Sequence, residues 1–122
     1  MRLEAIGGVS PGKIQELLSR IKRLGMDPGL IEERFIKGGG KGGQKVNKSA
    51  NCVRLRYQGI EVRCQRERSL AVNRFLALRE LTDRMEMRVS PGTSERLREV
   101  ERIRRRKARR RRKAAAIKAI MP

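Results

Sequence analysis

The stretch Val53-Arg54-Leu55-Arg56-Tyr57-Gln58-Gly59-Ile60-Glu61-Val62-Arg63-Cys64 decides the fold. Val53, Leu55 and Tyr57 alternate with Arg54 and Arg56, and Ile60, Val62 and Cys64 alternate with Glu61 and Arg63. A period of two marks half-buried strands, and Gln58-Gly59 between them fits a two-residue hairpin turn. That turn sets Tyr57 opposite Ile60, Leu55 opposite Val62 and Val53 opposite Cys64. Every apolar side chain then lies on one face, and a slip of one residue would turn them all to solvent. Arg56 faces Glu61 on the other side. Cys52 falls opposite Gln65, on the face away from Cys64, so this register forbids a disulfide between the two cysteines.

Outward from the hairpin, Ser69 caps a helix from Leu70 to about Arg88, with Ala71, Phe75, Leu78, Leu81 or Thr82, and Met85 as its buried stripe. Before the hairpin, Leu30 to Lys37 reads as a short strand with Phe35 in the core. Ser10-Pro11 opens an earlier helix, Ile14, Leu17, Leu18, Ile21 and Leu24 give it an apolar face, and Gly25 closes it. Asp27-Pro28-Gly29 is a turn, Val46 to Ser49 fits a helical turn, and Val89-Ser90-Pro91-Gly92-Thr93 is a break. The expected class is α+β: a small antiparallel sheet with a central hairpin packed by helices, a projecting loop and a basic C-terminal tail. Residues 1–9 form a lead, 10–92 the domain and 93–122 the tail.

Charge sets the class of partner. The 32 Lys and Arg against 13 Asp and Glu give a net charge of +19. Such an excess favours a polyanion through counterion release, and nucleic acid ahead of an anionic membrane. Aromatic residues are only 2% of the chain (Phe35, Tyr57 and Phe75), too few for a series of base-stacking platforms. No apolar run approaches the ~20 residues of a membrane span, and Ala5-Ile6-Gly7-Gly8-Val9 is too short for the apolar region of a signal peptide. With no His, imidazole acid–base and triad chemistry are excluded. Two cysteines make neither a disulfide scaffold nor a four-ligand zinc site. Neither a metal nor a cofactor is expected, and a reducing compartment is the default.

In the tail, Glu101 is spaced to meet Arg104 and Arg105. Arg104, Arg105, Arg106, Lys107, Arg109, Arg110, Arg111, Arg112 and Lys113 circle any helix they form. Like charges packed this way repel until an anion neutralises them, so the tail is expected to be disordered, or helical on binding RNA. A solvated arm without specificity is the plainer alternative.

Residues 37–48, Lys-Gly-Gly-Gly-Lys-Gly-Gly-Gln-Lys-Val-Asn-Lys, carry four lysines and no acid. Glycine lets backbone approach a partner closely, and the lysines suit an anionic one. The P-loop order is absent, since Gly40-Lys41 is followed by Gly42, and the antiparallel hairpin does not suit a dinucleotide site. A flexible loop touching RNA phosphate is what composition supports. The order of residues says more. Gly42-Gly43-Gln44, followed by Lys45-Val46-Asn47-Lys48, resembles the catalytic loop of class I peptide-chain release factors. The likeness extends to Glu32-Glu33-Arg34-Phe35 before the loop. After it come Cys52-Val53, Ile60 through Gln65, and Arg68-Ser69 through Asn73-Arg74, all similar to short, single-domain members. Two features depart from the family pattern. Gly39-Gly40-Lys41 stands where relatives often have Ser-Gly-Pro, and the hairpin turn is about two residues shorter than in many.

The resemblance implies an enzyme, a peptidyl-tRNA hydrolase in which water attacks the ester within the ribosome. Gly42 and Gly43 would give the backbone its conformation, and Gln44 would position the water and stabilise the oxyanion through its backbone N–H and side-chain amide. In the family that glutamine can carry a methyl group. Lys37, Lys41, Lys45, Asn47, Lys48 and the tail cations would contact RNA. At 122 residues no stop-codon-reading domain is expected besides this one; together with the basic tail, this resembles the ribosome-rescue factors, whose tail enters an empty messenger channel. Expected partners are the ribosome, through RNA of both subunits, and peptidyl-tRNA, with a monomer off the ribosome and no membrane. Cytoplasm is the expected location, with organelle matrix as the alternative. A non-enzymatic ribosome- or RNA-binding protein is the alternative function, and a peptidyl-tRNA hydrolase acting without ribosomes is a third.

Overall fold

The hairpin forms as its alternation requires in the computed structural model of the chain, which describes residues 1–3, 6–36 and 51–121. Strands β2 (Cys52–Tyr57) and β3 (Ile60–Cys64) pair antiparallel, with Tyr57 opposite Ile60, Leu55 opposite Val62 and Val53 opposite Cys64. The turn between them puts Gln58 at φ 46° and Gly59 at φ 81°, the doubly left-handed pair whose twist matches that of the strands. Strand β1 (Glu32–Ile36) adds on the other side of β2, giving an antiparallel sheet in the order β1-β2-β3.

Helix α1 (Pro11–Arg23) begins at Ser10-Pro11 and closes past Leu24 on Gly25, which takes a left-handed φ of 71°. Ser10 makes no side-chain cap, so proline rather than the serine hydroxyl favours the start of this helix. Helix α2 (Leu70–Val89) starts at Ser69, whose hydroxyl accepts from the Val72 amide at 3.4 Å. It lies across the core face of β2 and β3 and packs beside α1. Val53, Leu55, Leu78 and Leu81 are fully enclosed between the sheet and this helix. Burial of side chains of this size contributes roughly 1.5–3 kcal/mol each. Met85 joins this core, while Ala71 is only half-buried. Both cysteines are free: Cys52 is buried and pairs with Ile36 of β1, and Cys64 is half-buried.

Phe35 corrects the sequence reading. It is 47% exposed rather than in the core. Its ladder partner Val53 is fully buried, so the two share a face, but β1 is the edge strand. The core face of that edge carries Glu33 beside Phe35, and α2 covers both with the Arg74 guanidinium instead of an apolar side chain.

The break at residues 89–93 is a single 3-10 turn, Pro91–Thr93, that leads into α3 (Glu95–Ile120). Ser94 caps α3, its hydroxyl accepting from the Leu97 amide at 3.1 Å. Helix α3 runs unbroken through the cationic block, and none of its residues is buried. No helix among the described residues is long and apolar enough to cross a membrane.

Candidate active site and nucleic-acid interface

Lys37, Lys41, Gly42, Gly43, Gln44, Lys45, Asn47 and Lys48, and the helical turn expected at residues 46–49, lie outside the described residues. What the structure does give is the chain on either side of that segment. Before it, β1 ends at Ile36; after it, Asn51 leads into β2; and Ile36 pairs with Cys52 across the ladder. Two neighbouring residues of α2 hold these flanks. The Arg74 guanidinium donates from Nε to Glu33 Oε2 at 2.8 Å and from Nη2 to Glu33 Oε1 at 3.2 Å. It also donates to the Arg2 carbonyl at 3.0 Å and lies 6.0 Å from the Phe35 ring centroid. Both ends of the Arg74–Glu33 pair are nearly buried, so losing one partner would strand a charge, at a cost of about 3–5 kcal/mol.

Asn73 is wholly enclosed. Its Nδ2 donates to the Asn51 carbonyl at 2.7 Å and to the Glu67 carbonyl at 2.8 Å. Its Oδ1 accepts from the Glu67 amide at 2.9 Å and faces Cys64 Sγ at 3.8 Å. Both amide hydrogens are therefore used on backbone. The Asn51 side-chain oxygen is buried with no hydrogen-bond partner among the described residues.

The tail cations Arg104, Arg105, Arg106, Lys107, Arg109, Arg110, Arg111, Arg112 and Lys113 are all exposed along α3 and make no ion pair among the described residues. Glu101 does not meet Arg104 or Arg105; the pair within this helix is Arg102 with Glu99, at 2.9 Å.

The root of α3 is tied to α2 by charge. Arg96 donates to Glu80 at 2.6 Å and to Asp83 at 3.2 Å. Hydrogen bonding from Arg96 holds the Glu80 carboxyl down at about 2, against the opposing effect of burial, and Glu80 in turn raises Arg96. Glu86 is 3% exposed and accepts from Arg20, Arg23 and the Thr93 hydroxyl. Burial pushes Glu86 up, but those donors outweigh it and leave its carboxyl below the usual range. Helix α1, α2 and the turn before α3 thus share one ion cluster. Beside it, a groove of about 730 Å³ between β3, α2 and the start of α3 carries Arg63, Arg66, Arg79, Arg84 and Arg96 along its walls. Among the described residues no group of His, Cys, Asp and Glu could hold a metal ion.

Sequence reading placed Asn73 and Arg74 within the family likeness but gave them no role, and it missed the Glu86 cluster. A signal was present: Asn73, Ala77 and Leu81 share helical spacing, so a polar side chain stood on a stripe that also carried core residues.

In the order of the chain, Gly42-Gly43-Gln44 falls between β1 and β2 of the antiparallel sheet that α2 packs. The chain belongs to the RF-1 domain family of class I release factors, whose model matches residues 19–120. It is similar to the mitochondrial translation release factor in rescue of Homo sapiens, 42% identical over 52% of this chain and 40% of that protein. The Mus musculus counterpart is 38% identical over 69% of this chain and 49% of its own length. Peptide chain release factor 1 of Myxococcus xanthus is 41% identical over 46% of this chain and 16% of that protein. The chain thus spans less than half the length of these relatives.

Proposed function

We propose that this protein hydrolyses the ester of peptidyl-tRNA on stalled ribosomes without reading a codon. The observation that carries this reading is the match to the release-factor domain across residues 19–120, which includes Gly42-Gly43-Gln44. The mitochondrial relatives named for release in rescue point to the same setting. Gln44 positions the attacking water and stabilises the oxyanion, and Gly42 and Gly43 allow the backbone approach. With no histidine in the chain, catalysis rests on positioning and hydrogen bonding rather than on an imidazole base. Lys37, Lys41, Lys45, Asn47 and Lys48 hold the loop to RNA in the peptidyl transferase centre. The cations of α3 bind ribosomal RNA as an arm separate from the 10–92 domain. The protein acts as a monomer in the cytoplasm or an organelle matrix.

One release assay tests this, run on non-stop ribosome complexes and on free peptidyl-tRNA. Wild type is expected to release peptide only with ribosomes, and Gln44→Ala to bind ribosomes but lose at least about a hundredfold in rate, as expected when a key stabilising donor is removed. Release by Gln44→Ala at the wild-type rate overturns the reading. Binding without any ester cleavage by wild type would leave the protein as a ribosome-binding factor.

A further inference from the structure

We propose that Asn73 and Arg74 are positioning residues for peptide release, gripping the chain on both sides of the segment that carries Gln44. The inference rests on the reading of Gln44 as the catalytic group. Its basis is a juxtaposition that neither the sequence motif nor the family match assigns. Two adjacent side chains near the start of α2 reach opposite flanks of residues 37–50. Arg74 takes Glu33, three residues before the end of β1. Asn73 takes the carbonyl of Asn51, immediately before β2.

The chemistry suits the task. An asparagine amide can donate twice, and Asn73 divides its donors between Asn51 and Glu67, so the exit of the segment is bonded to the chain that leads into α2. With no solvent exposure at this site, water cannot replace the lost bonds. The fork of Arg74 fixes the entry bidentately, which sets direction as well as distance. Both anchors stand on one rigid helix whose other end packs in the core, so the two flanks keep a common frame. A catalyst that works by placing a water and an amide depends on such a frame, because a displacement of about 1 Å can cost on the order of 100-fold in rate.

The test compares full-length wild type, Asn73→Ala, Asn73→Ser and Leu81→Ala in release from non-stop ribosome complexes, with each rate normalised to the folded fraction. Leu81→Ala removes a core side chain two turns along the same helix and takes away none of the groups that bond to Glu33 or Asn51. Asn73→Ser keeps a hydroxyl and stands in should Asn73→Ala fail to fold. Amide hydrogen exchange on the free proteins is measured in parallel. The expected result is a drop of about tenfold or more in kcat for the Asn73 variants, with KM near wild type, and retained kcat for Leu81→Ala. Exchange should quicken in peptides covering residues 45–53 while Pro11–Arg23 stays protected. An unchanged kcat in a folded Asn73 variant overturns the proposal, as does an equal loss in Leu81→Ala. If wild type itself releases no peptide, the hydrolase reading is what fails. Exchange then decides the anchoring alone, and uniform quickening or none overturns it.

Discussion

Gln58 holds a left-handed backbone at the hairpin turn, a region that side chains other than Asn, Asp and Gly enter at a cost. Its carbonyl is engaged by Arg88 Nη1 at 2.9 Å, which ties the turn to the end of α2. Gln58→Asn keeps the carbonyl and relieves the backbone. It should raise unfolding stability by about 0.5 kcal/mol in urea titration, while Gln58→Val should lower it by about 1 kcal/mol or more. The turn was legible because position and neighbours fixed it: two residues between two alternating strands, one of them glycine. Asn73 and Arg74 were not legible as anchors, because period-3.6 reasoning assigns faces and not partners. Nothing local to Asn73 names the Asn51 carbonyl, which is remote in sequence and reaches it only when the sheet forms. Phe35 misled for a related reason. The core reading put it on the correct face, but only the strand order shows that β1 is an edge, and Arg74 rather than an apolar side chain covers it.

Among the elements, α3 sets local preference against charge. Its cap at Ser94 and the alanines Ala114, Ala115 and Ala116 favour helix, while nine like charges between Arg104 and Lys113 oppose it. Screening or neutralising those charges should therefore strengthen the helix. Circular dichroism at low salt should show helicity rising when short RNA or polyphosphate is added, and a variant ending at Ile103 should show no such rise. In ribosome binding, removing residues 104–122 would delete about ten phosphate contacts at most. The slope of log affinity against log salt should then fall by several units, up to ~7–9. A slope unchanged by the deletion would show that the tail is not the RNA-binding arm. Helix α2 has the opposite character. It lines the core, bonds to Glu33 and Asn51 on either side of residues 37–50, and receives the root of α3.

For the whole molecule, stability against pH follows from the carboxylates that these arginines hold. Glu80 has its ordinary value near 4.5 in the unfolded chain and about 2 in the folded one. A depressed carboxylate contributes stability that is full above the unfolded value and is lost as pH falls through the folded one. The advantage of wild type over Glu80→Gln should thus be complete at pH 6, shrink below about 4.5 and be gone by about 2, as read by denaturant melts across that range. A gap that stays constant with pH would show that Glu80 is not held by Arg96 in solution.

That latch between Arg96 and the carboxylates of Glu80 and Asp83 also bears on geometry at a distance. Helix α3 has 26 residues, so at 1.5 Å each its far end stands about 39 Å from its root. A pivot of about 10° at Arg96 would sweep the tip through about 7 Å, roughly the rise of two base pairs. The ion cluster at the root therefore bears on where the distal arginines stand: a change of angle too small to disturb the core would carry them through that distance.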